Sequence, residues 1–106
     1  MVNNTATTGF VMNQTMLRVR DPKVSINFYR DVLGMNLLDQ YSFEAMKFTL
    51  YFMGYLENDE KIPQNASDRA RWVFGRPALL ELTHNWGTES DPNFDGYHDG
   101  NGEPQG

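Results

Sequence analysis

The stretch ALLELTHNWGTE, residues 78–89, places a carboxylate, a hydroxyl and an amide at alternate positions: Glu81, Thr83 and Asn85. Successive side chains of a strand point to opposite faces, so these three share one face with Leu79. Leu80, Leu82, His84 and Trp86 take the other face. A carboxylate in such a row can accept a proton or hold a cation. By itself Glu81 reads first as the wet side of an edge strand, because Glu is mostly exposed. Chemistry there needs a partner from elsewhere in the chain.

The segment from Phe10 to Arg20 offers one. Read as a strand, it sets Phe10, Met12, Gln14, Met16 and Arg18 on one face and Val11, Thr15, Leu17 and Val19 on the other. The second face is apolar and β-branched, which suits packing against a helix. Gln14 and Arg18 project from an otherwise Met-lined surface. Taken singly, Gln14 is a strand amide bonded to a neighbour or to water, and Arg18 a solvated or ion-paired residue.

A helix must follow, since Asp21 suits the N-cap, Pro22 the first turn and Gly34 the residue past the C-cap. Val24, Phe28 and Val32, joined by Ser25, Tyr29 and Leu33, form its apolar stripe, expected to face the core. Residues 35–41 and 46–55 read as two further strands. The latter is apolar on both faces, so either another layer covers it or one face lines a pocket. Residues 56–70 are polar, contain a proline and read as a surface loop, with 71–76 a short bridge to the last strand. The expected fold class is α+β, a single βαβββ module with one helix on one sheet face and Gln14, Arg18, Glu81, Thr83 and Asn85 on the helix-free face. The expected boundaries are a flexible tail at 1–9, the module at 10–86 and an acidic Gly-rich flexible tail at 87–106.

Composition narrows the function classes. The chain has 106 residues, enough for one domain, and its 40% hydrophobic content can form a core. It has no cysteine, which excludes thiolate metal sites and a Cys nucleophile. The formal net charge of −5 is that of residues 87–106 alone, where Glu89, Asp91, Asp95, Asp99 and Glu103 stand without a Lys or Arg. No basic patch remains to displace counterions from nucleic acid, so that partner is not expected. Neither a signal peptide nor a membrane span is apparent, so a cytoplasmic protein without a membrane partner is expected.

The runs QTMLRVRDPKVSINFYRDVLGM, MKFTLYFMGY and LELTHNWGTE resemble the N-terminal module of the glyoxalase I (lactoylglutathione lyase) family, within the vicinal oxygen chelate superfamily. The resemblance covers nearly everything from Phe10 onward and implies paired βαβββ modules. It implies isomerisation of the glutathione–methylglyoxal hemithioacetal to S-lactoylglutathione, a methylglyoxal detoxification, around a divalent metal, zinc or nickel, with glutathione as cosubstrate. Gln14 and Glu81 match metal ligands, with Glu81 also a proton carrier. Arg18, Thr83 and Asn85 match residues that hold the glutathione moiety. Phe43, Met46, Leu50 and Phe52 match an apolar pocket for the methylglyoxal-derived end. Oxygen ligands would keep such a metal Lewis-acidic, easing formation of an enediolate.

The resemblance also implies a second module whose His and second Glu complete the metal site, and Gly106 ends this chain short of that His. Gln105 stands where the family has a glutathione-binding Arg. His84, which points to the apolar face, and His98 are not replacements for the missing ligand. Two readings follow: a lactoylglutathione lyase represented by a truncated form, or a non-catalytic binding or dimerisation module of the same type. Self-association through the open sheet face, as a dimer, is expected under both.

Overall fold

The computed structural model describes residue 6 and residues 8–97; His98 and Gln105 lie outside the described residues. The elements in chain order are β1 (Gln14–Arg18), α1 (Pro22–Asp31), β2 (Asn36–Phe43), β3 (Phe48–Gly54), α2 (Ala66–Phe74) and β4 (Leu79–Asn85). They form one sheet in the order β1-β4-β3-β2. β1 runs parallel to β4, while β3 is antiparallel to both β2 and β4. The α+β module expected from sequence is therefore present, with a helix added between β3 and β4.

That added helix corrects the loop expected at 56–70 and the bridge at 71–76. The Asn65 side chain accepts from the backbone N–H groups of Ser67 and Asp68, satisfying two donors that every helix start leaves open. Val73 is fully buried beneath the helix, and Gly75 ends it. A salt bridge of 3.0 Å from Arg69 Nε to the buried Asp39 carboxylate ties α2 to β2. At the other end Glu60 accepts from Trp72 Nε1 at 3.1 Å and from Arg76, whose guanidinium stacks 4.5 Å from the Trp72 ring centroid.

α1 is bounded as its sequence dictates. Asp21 accepts from the Lys23 N–H at 3.0 Å, and Gly34 adopts φ +74°, a conformation that costs glycine little. The stripe expected to face the core does so only in part, at Tyr29. Val24, Phe28 and Val32 are 65%, 48% and 66% exposed, and Leu33 is exposed beside them. Ile26, outside the expected stripe, packs inward with Tyr29, against Val19, Met35, Met53 and Leu82. The reason lies in the entry to the helix. Val19 is buried and donates its N–H to Thr83 O at 2.9 Å, so three residues of connection fix the rotation of α1 about its axis.

The two faces of the sheet have separate cores. The α1 side gathers the cluster just named, and the α2 side gathers Leu38, Phe52, Val73 and Leu79. This explains why β3 is apolar on both sides: Met53 and Phe52, each fully buried, point to opposite layers. A register shift between Leu37 and Asp39 in β2 sets Leu38 beneath α2 as well.

Hydrogen bonds from Arg76 above all, then from the Glu57 N–H and Trp72, lower the Glu60 pKa from 4.5 to about 2. A carboxylate depressed in the folded state adds stability that is whole above its unfolded pKa and is lost as pH falls toward the folded one. Glu60→Gln should therefore be less stable at pH 7 than the parent chain. Its urea midpoint should also change less between pH 4.5 and pH 2, a window set by the same carboxylate.

Candidate half-site on β1 and β4

Register decides which side chains meet. In the parallel pair Gln14 lies opposite Leu79, Met16 opposite Glu81 and Arg18 opposite Thr83. In the antiparallel pair Phe52 lies opposite Glu81, Leu50 opposite Thr83 and Phe48 opposite Asn85. Alternation then places Gln14, Arg18, Glu81, Thr83 and Asn85 on one face. Gln14 Nε2 donates to Glu81 Oε1 at 3.0 Å, across 67 residues of sequence. Thr83 Oγ1 approaches Glu81 Oε2 at 3.5 Å.

The face is not helix-free, and this corrects the expectation. α2 covers the end of it that carries Leu79 and Phe52, and Phe74 at the end of α2 lies beside the carboxylate row. The Phe74 ring stacks on Tyr41 at 5.9 Å and meets Phe52 edge-on at 5.2 Å. Burial along β4 is consequently graded: Leu79 is buried, Glu81 and Thr83 are half-buried and Asn85 is exposed.

Of the expected apolar pocket, Phe43, Leu50 and Phe52 share one face of β2 and β3, and Met46 lies in the turn between them. Phe52 is fully buried beneath Phe74 and Tyr41, and Leu50 is half-buried in the same core. Phe43 stacks on Phe48 at 4.7 Å, one position from the β2–β3 turn that carries the exposed Met46. The apolar neighbours of Glu81 across the ladders are Met16 and Phe52, and the Tyr41 and Phe74 rings pack on Phe52. Phe74 was not singled out from sequence, although Asn65 with Asp68 three residues on, ahead of Trp72 and Val73, is a legible helix start.

His84 occupies the opposite face, as parity requires, and is buried. Its Nε2 lies 2.5 Å from Glu89 Oε2, which holds the turn after β4. Asn85 Nδ2 donates to the Tyr97 hydroxyl at 3.1 Å.

The donor set near Glu81 is oxygen-rich but small. Gln14 and Glu81 offer an amide oxygen and a carboxylate, ligands that suit a divalent cation. Among the described residues no group of three or more His, Cys, Asp or Glu could hold an ion. Gln14 and Glu81 are the two such donors that the β1–β4 pairing brings side by side.

Fold and site together define a glyoxalase-type module. Residues 11–102 match the family described as the Glyoxalase/Bleomycin resistance protein/Dioxygenase superfamily, and the chain belongs to it. It is similar to the lactoylglutathione lyase of Pseudomonas aeruginosa, with 50% identity over 97 residues covering 92% of this chain and 53% of that protein. It is similar also to glyoxalase I of Saccharomyces cerevisiae, with 51% identity over 98 residues, covering 92% and 27% respectively. Among solved structures, glyoxalase I of Zea mays superposes with a TM-score of 0.51 at 35% identity, covering 71% of this chain and 21% of that one. The trypanothione-dependent glyoxalase I of Leishmania major gives a TM-score of 0.52 at 32% identity, covering 81% and 50%. The chain thus spans about half, or less, of the length of these relatives.

Tyr41, packed between Phe52 and Phe74, shows how α2 conditions the site. Burial, then its 2.6 Å hydrogen bond to Asp39, raises its pKa from 10.0 to about 12. A raised pKa adds stability that is present below the unfolded value and is lost as pH rises through the folded one. Ultraviolet titration should show one tyrosine of five ionising near pH 12. Asp39→Asn should bring it back toward the ordinary value.

Proposed function

We propose that this chain supplies one half of a glyoxalase I site, acting on the hemithioacetal of glutathione and methylglyoxal. The observation that carries the reading is the contact of Gln14 with Glu81 across the parallel β1–β4 pair, in a chain of this superfamily. Gln14 and Glu81 would hold a divalent metal, zinc or nickel, through their oxygens. Bound there, such an ion would polarise the oxygens of the substrate. The Glu81 carboxylate takes the proton from the carbon that bears sulfur and returns it to the neighbouring carbon, while the hydroxyl proton passes to the former carbonyl oxygen, giving the thioester with no net redox change. The half-buried setting of Glu81 keeps bulk water at a distance, while the exposed Arg18 and Asn85, with the half-buried Thr83, suit a peptide with carboxylates.

Two donors do not make a closed site, and the exposed apolar surface suggests how the rest is supplied. Val24, Phe28 and Val32 on α1 and Met16 and Leu17 on the edge strand β1 are all exposed. We infer that β1 and α1 meet the same surface of a second copy. Pairing along β1 would set the Gln14–Glu81 face of one copy beside that of the other, and a site of oxygen donors from Gln14 and Glu81 alone would bind zinc or nickel more weakly than one containing His. This same observation favours the second reading, a non-catalytic pairing module, should turnover be absent.

The test of activity is S-lactoylglutathione formation from the hemithioacetal with added zinc or nickel. Slow turnover is expected, abolished by a chelator and reduced about a hundredfold or more in Glu81→Ala. No metal-dependent turnover by the parent chain would leave the pairing module as the function. Sedimentation decides the assembly: a dimer is expected, strengthened by zinc and weakened both by Glu81→Ala and by Phe28→Glu. A monomer under every condition would remove the shared site.

A further inference from the structure

Asn85 closes the carboxylate row as an exposed amide at the end of β4, a position where a side chain would ordinarily rotate freely in water. Here it does not stand alone. Its Nδ2 donates at 3.1 Å to the hydroxyl of Tyr97, twelve residues further on. Tyr97 is brought back by a segment anchored at several points. His84 and Glu89 hold its first turn at 2.5 Å, Thr88 Oγ1 donates to Arg20 O at 2.6 Å, and Arg20 Nε donates to Thr88 O at 3.1 Å. The Arg20 guanidinium then lies 5.8 Å from the Phe94 ring centroid, and Phe94 meets Tyr97 edge-on at 4.9 Å. Gly96, at φ +99°, makes the bend that aims Tyr97 at Asn85, a backbone conformation that other residues rarely adopt.

The consequence is a choice between the two ends of an amide. With one N–H committed to Tyr97, the Asn85 carbonyl oxygen is held in a fixed direction as an acceptor, and its second N–H stays available as a donor. We infer that Tyr97 is a positioning residue for peptide binding: it presets the Asn85 amide for the backbone groups of a glutathione moiety. The inference deepens the proposed function and rests on its assignment of glutathione to this face. Preorganisation of this kind raises affinity because the ligand no longer has to immobilise the side chain.

The experiment is a double-mutant cycle on the full chain, with glutathione as the probe and its binding followed by NMR chemical shifts. Tyr97→Phe keeps the ring that packs on Phe94 and removes only the hydroxyl. It should weaken glutathione binding about fivefold, the effect of one hydrogen bond, with an unchanged melting temperature. In the Asn85→Ala background the same change should cost almost nothing, because its target is gone. Equal binding by the parent chain and Tyr97→Phe overturns the inference and leaves the proposed function standing. An equal loss in both backgrounds also overturns it, since Tyr97 would then act independently of Asn85. No glutathione binding by the parent chain overturns both together.

Discussion

The pairing of β1 with β4 is the constraint on which the rest of this structure depends. Gln14 and Glu81 come within hydrogen-bond distance only because the two strands run parallel in one register. A slip of one residue would turn every β1 side chain to the opposite face, exchanging Gln14 and Arg18 for Thr15 and Leu17. The ladder is pinned at both ends. Ala78 and Leu79 donate to Met12 O and Asn13 O at one end, and Val19 donates to Thr83 O at the other. Asn13 adds a clamp of its own, its side-chain amide donating to Arg76 O at 2.6 Å, so β1 is fixed to the exit of α2 as well as to β4.

The second layer then sets the environment of the row. α2 is docked by apolar contact at Val73 and by the ion pair of Arg69 with Asp39, a carboxylate that also accepts from Tyr41 and from the Gln40 N–H. A buried charge is tolerable only when its lone pairs are this fully occupied. Because the helix covers one end of the face, polarity rises along β4 from Leu79 to Asn85. The carboxylate sits in the drier part and the amide in the wet part.

Much of this was legible in the sequence because alternation is a geometric rule. The faces assigned to Glu81, Thr83 and Asn85, and to His84 opposite them, followed from parity, and the caps of α1 followed from Asp21, Pro22 and Gly34. The core-facing stripe of α1 did not follow. The expected stripe joined Val24–Phe28–Val32 to Tyr29, and helical spacing alone cannot say that Tyr29 turns inward with Ile26 and away from that row. The buried Val19 decides it, and that is a tertiary fact. α2 was missed for another reason. Its exposed side is Ser67, Asp68 and Arg71 and its buried side little more than Val73, so the composition of a surface loop hid a short capped helix.

The separation between the partner strands has a consequence for how the molecule reaches this state. β2 and β3 are joined by a turn of four residues, and β3 and β4 by one short helix and its flanking loops, so these pairings close modest loops. β1 must wait for a strand more than sixty residues away, and it finds an open edge only after β4 has been laid against β3. Loop-closure entropy and contact order place that event late among the folding steps. The Gln14–Glu81 pair is therefore born with the last strand to dock: until the sheet is whole, the carboxylate faces water with no amide beside it.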